Sequence, residues 1–334
     1  MKPDISKITI NNNREYICEL LQDLVLQPRI VALKWSNITK QTPNIKIGYP
    51  AQHLASLVTG MEGMRTGARG RDIVDGSEVK GCSKIDQLDT CSSCDEKVAR
   101  VENICPNCGS DKIKRMDDSK WLFTIRSEEE LNLLTQDVPR IILIVGDYPG
   151  FEDNNFDDIR FEVFELWTQS ERNKNFIHYM NDYYYNIYLK HKESNPSKTP
   201  APKNFFPYGY PFYMCNPIKV LSAIVTNANK TPSINLDYYI EPHLDRNTLS
   251  SELMPTSLLN NMEIQYLVDN VQVEIIQSLL NNNYTKDNYI NAKAQKDIKL
   301  IKKMIPFISE EVRAYLSLRE VGQIRQAKTP YKRR

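Results

Sequence analysis

Four cysteines in two closely spaced pairs constrain the fold of this chain more than any other feature of its sequence. The pairs are Cys91–Cys94 and Cys105–Cys108, with ten residues between them. Each Cys-x-x-Cys pair can form a tight turn that presents two thiolates, and four thiolates suit tetrahedral Zn²⁺. Four protein ligands leave no open coordination position, so we expect this zinc to stabilise the fold rather than to catalyse. The sequence therefore predicts an inserted zinc ribbon at about residues 88–115.

A redox-active disulfide is the alternative interpretation of these cysteines. It would need one exposed pair beside a thioredoxin-like fold, and it does not explain two pairs. The ribbon also carries basic residues that either touch phosphates or form an ordinary solvated face, and these are Lys97, Arg100, Lys112, Lys114 and Arg115.

Length and composition describe an ordinary globular protein. The chain has 334 residues, of which 41% are hydrophobic and 25% charged, which predicts about two domains of roughly 150 residues. The longest aliphatic run, Ile141 to Val145, is far too short for a membrane span, and the start lacks an apolar leader segment. We therefore expect a cytoplasmic protein with no membrane partner. The net charge of +1 means that any nucleic-acid surface is a local patch.

The order of predicted elements indicates an α/β fold. Helices are expected at Arg14–Gln27 and Gln52–Glu62, before the ribbon. Strands and helices alternate after it, with strands at 121–125, 140–145 and 160–167 and a long aromatic helix ending near residue 192. Six prolines between residues 194 and 217 exclude helix there and indicate a boundary near 200. We expect a nuclease domain at 1–200 and a mainly helical part at 201–334 that recognises DNA or forms a dimer.

The segment from Asp72 to Lys80 predicts a hairpin with a cluster of charged side chains. If residues 74–76 form a three-residue loop with Gly76 in the left-handed region, Asp72 lies opposite Glu78. Side chains alternate along a strand, so Lys80 shares the face of Glu78 while Val79 points into the core. Two carboxylates and one amine then converge.

This cluster predicts a catalytic magnesium site. Adjacent carboxylates repel unless a divalent cation lies between them, and Mg²⁺ prefers carboxylate oxygen and retained water. The lysine can orient or deprotonate an attacking water or stabilise the phosphate, which is the chemistry of phosphodiester hydrolysis. Asp75 is a rival ligand, although Asp-Gly is also a turn former, and Glu62 is a candidate for a further carboxylate or for a solvated helix residue.

Three arginines in a Gly-rich loop precede the acidic hairpin and are candidates for contacts with DNA phosphates: Arg65, Arg69 and Arg71. The segment from Tyr289 to Arg334 has a surplus of eight basic residues, and five of its lysines are expected on one helical stripe. That stripe is either solvated or faces phosphates. Nothing in the sequence suggests a small-molecule substrate.

The residues Asp72, Glu78 and Lys80 resemble the active site of the PD-(D/E)XK nucleases. The segments 48–57, 66–70 and 75–80, together with the two cysteine pairs, look like MamI-type restriction endonucleases. This resemblance implies a mixed sheet flanked by helices. It also implies a type II enzyme that cuts both strands of double-stranded DNA at a palindromic site, using Mg²⁺, as a homodimer. The proline of the PD motif is absent, since Arg71 precedes Asp72.

Two other functional classes stay open on the sequence alone. A zinc-ribbon protein that binds nucleic acid without catalysis would keep the cysteines, but it has no use for a charged cluster on the hairpin. A repair or nicking nuclease of the same fold would share that cluster but act as a monomer or on a special DNA structure.

Overall fold

The computed structural model describes residues 1–43, 46–68 and 71–319. Within them the chain divides into two compact units. The first consists of Met1–Pro207 and Lys219–Thr248, and the second of Tyr208–Ile218 and the described residues from Leu249 onward. The first unit therefore extends beyond the boundary near residue 200 that the prolines suggest.

The first unit contains twelve strands: β1 (Gly63–Ala68), β2 (Arg71–Ile73), β3 (Glu78–Ser83), β4 (Asp89–Cys91), β5 (Lys97–Val98), β6 (Ile113–Lys114), β7 (Trp121–Phe123), β8 (Ile141–Asp147), β9 (Ile159–Leu166), β10 (Lys203–Phe205), β11 (Ile218–Thr226) and β12 (Ser233–Tyr239). Five of them form the central sheet in the order β12-β11-β9-β8-β3, and smaller sheets pair β1 with β2, β7 with β10, and β4 with β5 and β6.

The central sheet is mixed. Strand β3 runs parallel to β8 with Glu78 beside Ile141 and Lys80 beside Leu143, whereas β8 is antiparallel to β9. Every residue of β8 and β9 is buried, as expected for central strands covered on both faces. The predicted α/β class with a mixed sheet and helices is confirmed.

Six helices belong to the first unit: α1 (Asn13–Leu21), α2 (Gln27–Thr39), α3 (Gly48–Thr59), α4 (Glu128–Asn132), α5 (Lys174–Asp182) and α6 (Leu189–Ser194). π-helical turns join α1 to α2 at Gln22–Leu26 and α5 to α6 at Tyr183–Tyr188. Helix α3 begins four residues before the predicted Gln52, because Pro50 is tolerated in a first helical turn. It ends at Thr59, where Gly60 has a φ of +67°.

Helix α3 packs directly against β3. A Cβ added at Gly81 of β3 would lie 3.2 Å from the Cβ of Ala51 on α3, so glycine at this position permits the close approach. The helix is thereby held against the strand that carries Glu78 and Lys80.

The second unit contains α7 (Tyr210–Met214), α8 (Asn261–Asn270), α9 (Val273–Gln277), α10 (Lys286–Ala294), α11 (Ile298–Met304) and α12 (Glu310–Arg313), with a short antiparallel pair of β13 (Met254–Pro255) and β14 (Phe307–Ile308). This unit is mainly helical, whereas the part expected at 201–334 also contains β10, β11 and β12. The proline-rich segment nevertheless contains α7, because Pro211 lies in the first turn of that helix.

The predicted lysine stripe does not form one face of one helix. Its residues are divided between α10 and α11, and Lys296 between them has a φ of +54°. The ammonium of Lys302 donates to the carbonyl of Leu259 at 2.7 Å, and that of Lys293 donates to the carbonyl of Val268. These two lysines therefore serve packing within the unit. Among the described helices, none combines the length and apolarity needed to cross a bilayer.

An ion network lies inside the first unit, centred on the fully buried Glu165 of β9. Its carboxylate accepts hydrogen bonds from Arg140 at 3.0 Å, Arg246 at 3.1 Å and the Trp167 indole at 2.9 Å. Burial alone would raise the pKa of Glu165, but Arg246 and Arg140 outweigh that effect and lower it. Glu165 is therefore ionised and paired in the folded protein.

We expect Glu165→Gln to reduce the free energy of unfolding by about 3–5 kcal/mol, because it leaves a buried guanidinium without its counter-charge. Denaturant unfolding of the two proteins measures the difference. Since the folded pKa of Glu165 is lowered, its contribution is complete above about pH 4.3 and is lost as the pH falls through the folded value. The difference between the two proteins should shrink in acid.

Glu171→Gln is the matched control, because its partner Lys174 and Glu171 itself are largely exposed. It should leave the free energy of unfolding nearly unchanged. Equal effects of the two substitutions would contradict the role assigned to the buried carboxylate.

Candidate active site and zinc ribbon

The loop between β2 and β3 has the geometry that the sequence predicts. Gly76 has a φ of +91° and its N–H donates to the carbonyl of Ile73 at 2.8 Å. The N–H of Ile73 donates to the carbonyl of Ser77 at 3.2 Å, which pairs these two residues across the loop. The register of the predicted hairpin is therefore correct at its loop end.

Beyond this point the side chain of Asp72 continues the pairing. Strand β3 is an edge of the central sheet, and Glu78 uses its N–H toward the sheet, donating to the carbonyl of Arg140 at 3.0 Å. The next N–H, that of Val79, points outward and donates to Asp72 Oδ2 at 2.8 Å. Asp72 thus lies at the outer edge of β3, beside Glu78, while the Val79 side chain is buried.

Lys80 completes the cluster. Its Nζ lies 2.6 Å from Glu78 Oε1 and 5.7 Å from the centre of the Phe123 ring. Both side chains of this ion pair are partly shielded, with exposed fractions of 27% for Lys80 and 11% for Glu78. The ammonium is therefore held between a carboxylate and an aromatic face.

The electrostatics of Asp72 reflect this crowding. Burial raises its pKa, the hydrogen bond from Val79 opposes that effect, and the neighbouring Glu78 raises it further while Lys80 lowers it. The net shift is upward, so the negative charge on Asp72 is disfavoured in the cation-free site.

The donor set fits Mg²⁺. Two adjacent carboxylates, one of them with a raised pKa, supply hard oxygen ligands, and Mg²⁺ commonly binds through one or two carboxylates while it keeps several waters. Asp72 and Glu78 are the residues that could hold the ion. They do not form a group of three or more acidic, histidine or cysteine ligands, and within the described ranges only the four cysteines do.

The structure places Asp75, the rival ligand, in the turn. Its Oδ1 accepts the N–H of Ser77 at 2.9 Å, and its Oδ2 accepts Arg140 Nη2 at 2.6 Å. Both oxygens are therefore engaged on the turn side of the hairpin, whereas Asp72 lies beside Glu78.

Among the described residues, Glu62 does not join Asp72 and Glu78 in a set of ligand atoms that all lie within 4.8 Å of one another. It follows α3, its side chain is exposed, and its backbone carbonyl accepts the N–H of Val74 at 3.0 Å. No hydrogen bond among the described residues joins its carboxylate to Asp72, Glu78 or Lys80.

Two residues near the cluster were not identified from the sequence. Gln52, on the exposed face of α3, has its Nε2 3.5 Å from Asp72 Oδ1. Gln52 lies one helical turn after Gly48, where α3 approaches β3. The predicted helix began at Gln52 rather than at Gly48, so the sequence did not indicate that Gln52 lies near the cluster. Arg140 contacts the turn from a position 65 residues away, and no local pattern marks such a contact.

Of the three arginines expected at DNA phosphates, Arg65 lies in β1 and Arg71 begins β2, and both are exposed. Strands β1 and β2 pair with an irregular register. Arg69 lies outside the described residues.

The four cysteines come together in the three-stranded sheet of β4, β5 and β6. Their sulfur atoms all lie within 4.8 Å of one another, and the Sγ pairs Cys91–Cys108 and Cys94–Cys105 are each 3.6 Å apart. Gly109, with a φ of +72°, allows the second turn to close. This arrangement fits a tetrahedral metal such as Zn²⁺.

The apolar core of the ribbon is very small. It consists of Cys91, Val98 and Cys105, with Cys94 and Ile113 packed against it. So little apolar surface cannot offset the entropy of ordering the segment, so a bound metal is the expected source of its stability.

Two arginines that were candidates for phosphate contact instead close the base of the ribbon. The fully buried Asp89 accepts Arg100 Nη2 at 2.9 Å and Arg115 Nη1 at 2.8 Å. Lys112 and Lys114 are exposed, as a solvated face requires.

A family model described as MamI restriction endonuclease matches residues 34–257, which include the hairpin and the ribbon. The chain belongs to the MamI restriction endonuclease family. The type II restriction enzyme MamI of Microbacterium ammoniaphilum is 35% identical over 71 residues, which cover 21% of this chain and 23% of that enzyme. No solved structure matches the chain.

We expect about one Zn²⁺ per chain in freshly purified protein, because the four sulfurs form one tetrahedral set. Elemental analysis measures this ratio. Cys105→Ser should lower it sharply and expose residues 88–115 to proteolysis, as should a strong chelator, and added Mg²⁺ should not reverse either effect.

Cys82→Ser is the control, since Cys82 is a buried thiol on β3 outside the cluster. It should leave the zinc content unchanged. Protein that lacks zinc, or that keeps it after Cys105→Ser, would contradict the site.

Proposed function

We propose that this protein is a type II restriction endonuclease of the PD-(D/E)XK type. In this proposal it hydrolyses phosphodiester bonds in both strands of double-stranded DNA at a specific palindromic site, with Mg²⁺ at the hairpin and structural Zn²⁺ in the ribbon. Membership of the family supports the class of activity, and the convergence of Asp72, Glu78 and Lys80 at the edge of β3 carries the assignment of the site.

Each residue of the cluster has a separate role in the proposal. Asp72 and Glu78 hold the cation, which when bound supplies a Lewis acid for the phosphoryl group. Lys80 orients the attacking water and stabilises the charge that develops on the phosphate. Its position beside Glu78 and over Phe123 keeps the ammonium at the carboxylates before DNA arrives.

The DNA contacts in the proposal divide into two kinds. Arg65, Arg69 and Arg71 contact DNA phosphates. Arg65 and Arg71 are exposed on the two-stranded sheet of β1 and β2, which leads into the catalytic loop. Base recognition or dimer formation is assigned to the mainly helical second unit. A homodimer follows from the need for one site per scissile phosphate on a two-fold symmetric sequence.

A binding protein without catalysis is disfavoured by one observation. The cluster places a carboxylate with a raised pKa beside a second carboxylate and an ammonium, an arrangement that DNA binding does not require. A nicking or repair nuclease would use the same cluster, so the product of the reaction distinguishes it. Digestion of phage DNA with Mg²⁺ followed by end sequencing would reveal the recognition site and the cut position.

We expect Asp72→Asn, Glu78→Ala and Lys80→Ala each to reduce cleavage by at least about 10²–10³-fold, because they remove cation ligands or the charge opposite the phosphate. Binding to the specific duplex, measured without a divalent cation so that the loss of a cation ligand does not enter, should change little. Asp75→Asn makes the same chemical change in the turn and should be much milder. The reverse order of Asp72→Asn and Asp75→Asn would show that the wrong carboxylate has been assigned.

A supercoiled plasmid with one recognition site should be converted to linear DNA without accumulation of the nicked circle, because a dimer carries two catalytic hairpins. Sedimentation of the protein with a duplex containing one site should give two chains per duplex. Accumulation of nicked circles by a monomer would instead favour the nicking nuclease.

A further inference from the structure

The turn that connects Asp72 to Glu78 is gripped by Arg140, the residue that precedes β8. The guanidinium donates from Nη2 to Asp75 Oδ2 at 2.6 Å and from Nε to Ser77 Oγ at 3.0 Å. The carbonyl of the same residue accepts the N–H of Glu78 at 3.0 Å. Arg140 therefore contacts three of the four residues from 75 to 78.

The guanidinium also has two partners outside the turn, Glu165 and Trp167. Its Nη1 donates to Glu165 Oε1 at 3.0 Å, and its Cζ lies 5.0 Å from the centre of the Trp167 ring. The side chain is only 1% exposed, so it has no access to water as an alternative partner. Because the donors of a guanidinium form a rigid planar fork, its three contacts cannot be adjusted independently.

Ser77 links this grip to the candidate metal ligands. Its carbonyl accepts the N–H groups of both Asp72, at 2.9 Å, and Ile73, and its own N–H is bound by Asp75. A shift of Ser77 would therefore move Asp72 relative to Glu78, and the hydrogen bond from the Val79 N–H to Asp72 spans the same gap.

We infer that Arg140 is a positioning residue of the catalytic site, which sets the register of Asp72 against Glu78 without touching DNA or the cation. The inference rests on the proposed nuclease function. Displacements of about 1 Å at a catalytic group reduce rates by as much as 10²-fold, so a residue that holds the turn to this tolerance affects the chemistry as well as the fold.

The chain offers a matched control for this role. Arg246 is also fully buried and pairs with the same Glu165, with its Nε 3.1 Å from Oε2 and its Nη2 3.4 Å from Oε1. Its other described hydrogen bonds go to the carbonyls of Glu241, Leu244 and Met1. None of its described contacts reaches the hairpin. Replacing either arginine disturbs the same ion network, but only Arg140 holds the turn.

The test compares Arg140→Lys with Arg246→Lys in the full zinc-loaded chain. A lysine ammonium cannot occupy the positions of Nε, Nη1 and Nη2 together. We expect Arg140→Lys to lower the single-turnover cleavage rate by about 10²-fold and to weaken Mg²⁺ binding measured calorimetrically without DNA. Arg246→Lys should lose similar stability but keep both the rate and the Mg²⁺ affinity within about 3-fold of the unaltered protein.

Ser77→Ala provides a second variant in case Arg140→Lys does not fold, because it removes one contact of the grip without unpairing a charge. It should reduce the rate and the Mg²⁺ affinity in the same direction, by a smaller factor. Unchanged rate and affinity in folded Arg140→Lys or Ser77→Ala would overturn the inference, and so would equal losses in Arg140→Lys and Arg246→Lys.

A different experimental result would contradict the proposed function. If the unaltered protein binds Mg²⁺ but cleaves no duplex, the nuclease proposal is wrong and the catalytic meaning of Arg140 is lost with it. If the unaltered protein cleaves and the variants match it, the nuclease proposal stands and only the positioning role is wrong.

Discussion

The arrangement of the first unit depends on the ion pairs and hydrogen bonds of the buried Glu165 carboxylate. A carboxylate removed from water is tolerated only when its charge and both oxygens are matched, and here two guanidinium groups and an indole N–H match them. One of those guanidinium groups belongs to Arg140, which contacts the loop between β2 and β3. The central strand β9 and the loop at the edge of the sheet are thus joined by ion pairs through the Arg140 guanidinium.

The zinc ribbon is ordered by a different means. Its core of three buried side chains is too small to organise the segment, whereas four sulfurs within 4.8 Å can do so through a single ion. Asp89, at the start of the ribbon, pairs with Arg115 at its end and with Arg100 between the two cysteine pairs. We therefore expect a segment whose folding depends on a metal within a unit whose folding depends on a large apolar core.

The sequence predicted those features that local spacing determines. The Cys-x-x-Cys pairs, the loop closed by Gly76 and the alternation that separates Val79 from Lys80 all depend on residues within a few positions of one another. The Arg140–Glu165–Arg246 network could not be predicted, because it joins residues 25 and 81 positions apart. Charged residues in or near a predicted strand are expected at the protein surface, so nothing local marks these three as buried partners. The boundary predicted near residue 200 differs from the division into two compact units for a similar reason. The prolines mark a connection, but they do not show that β11 and β12 return to the sheet.

The hydrogen bond from the Val79 N–H to Asp72 also limits the pairing of β3 with a strand of another molecule. An outward-facing N–H on an edge strand is a starting point for pairing with a strand of another chain. In β3 this N–H is covered by a carboxylate, which is charged when a cation is present and cannot extend a backbone ladder. The same side chain that is a candidate ligand for the metal thereby ends the sheet, so a protein that lost it would expose a strand edge as well as lose a ligand.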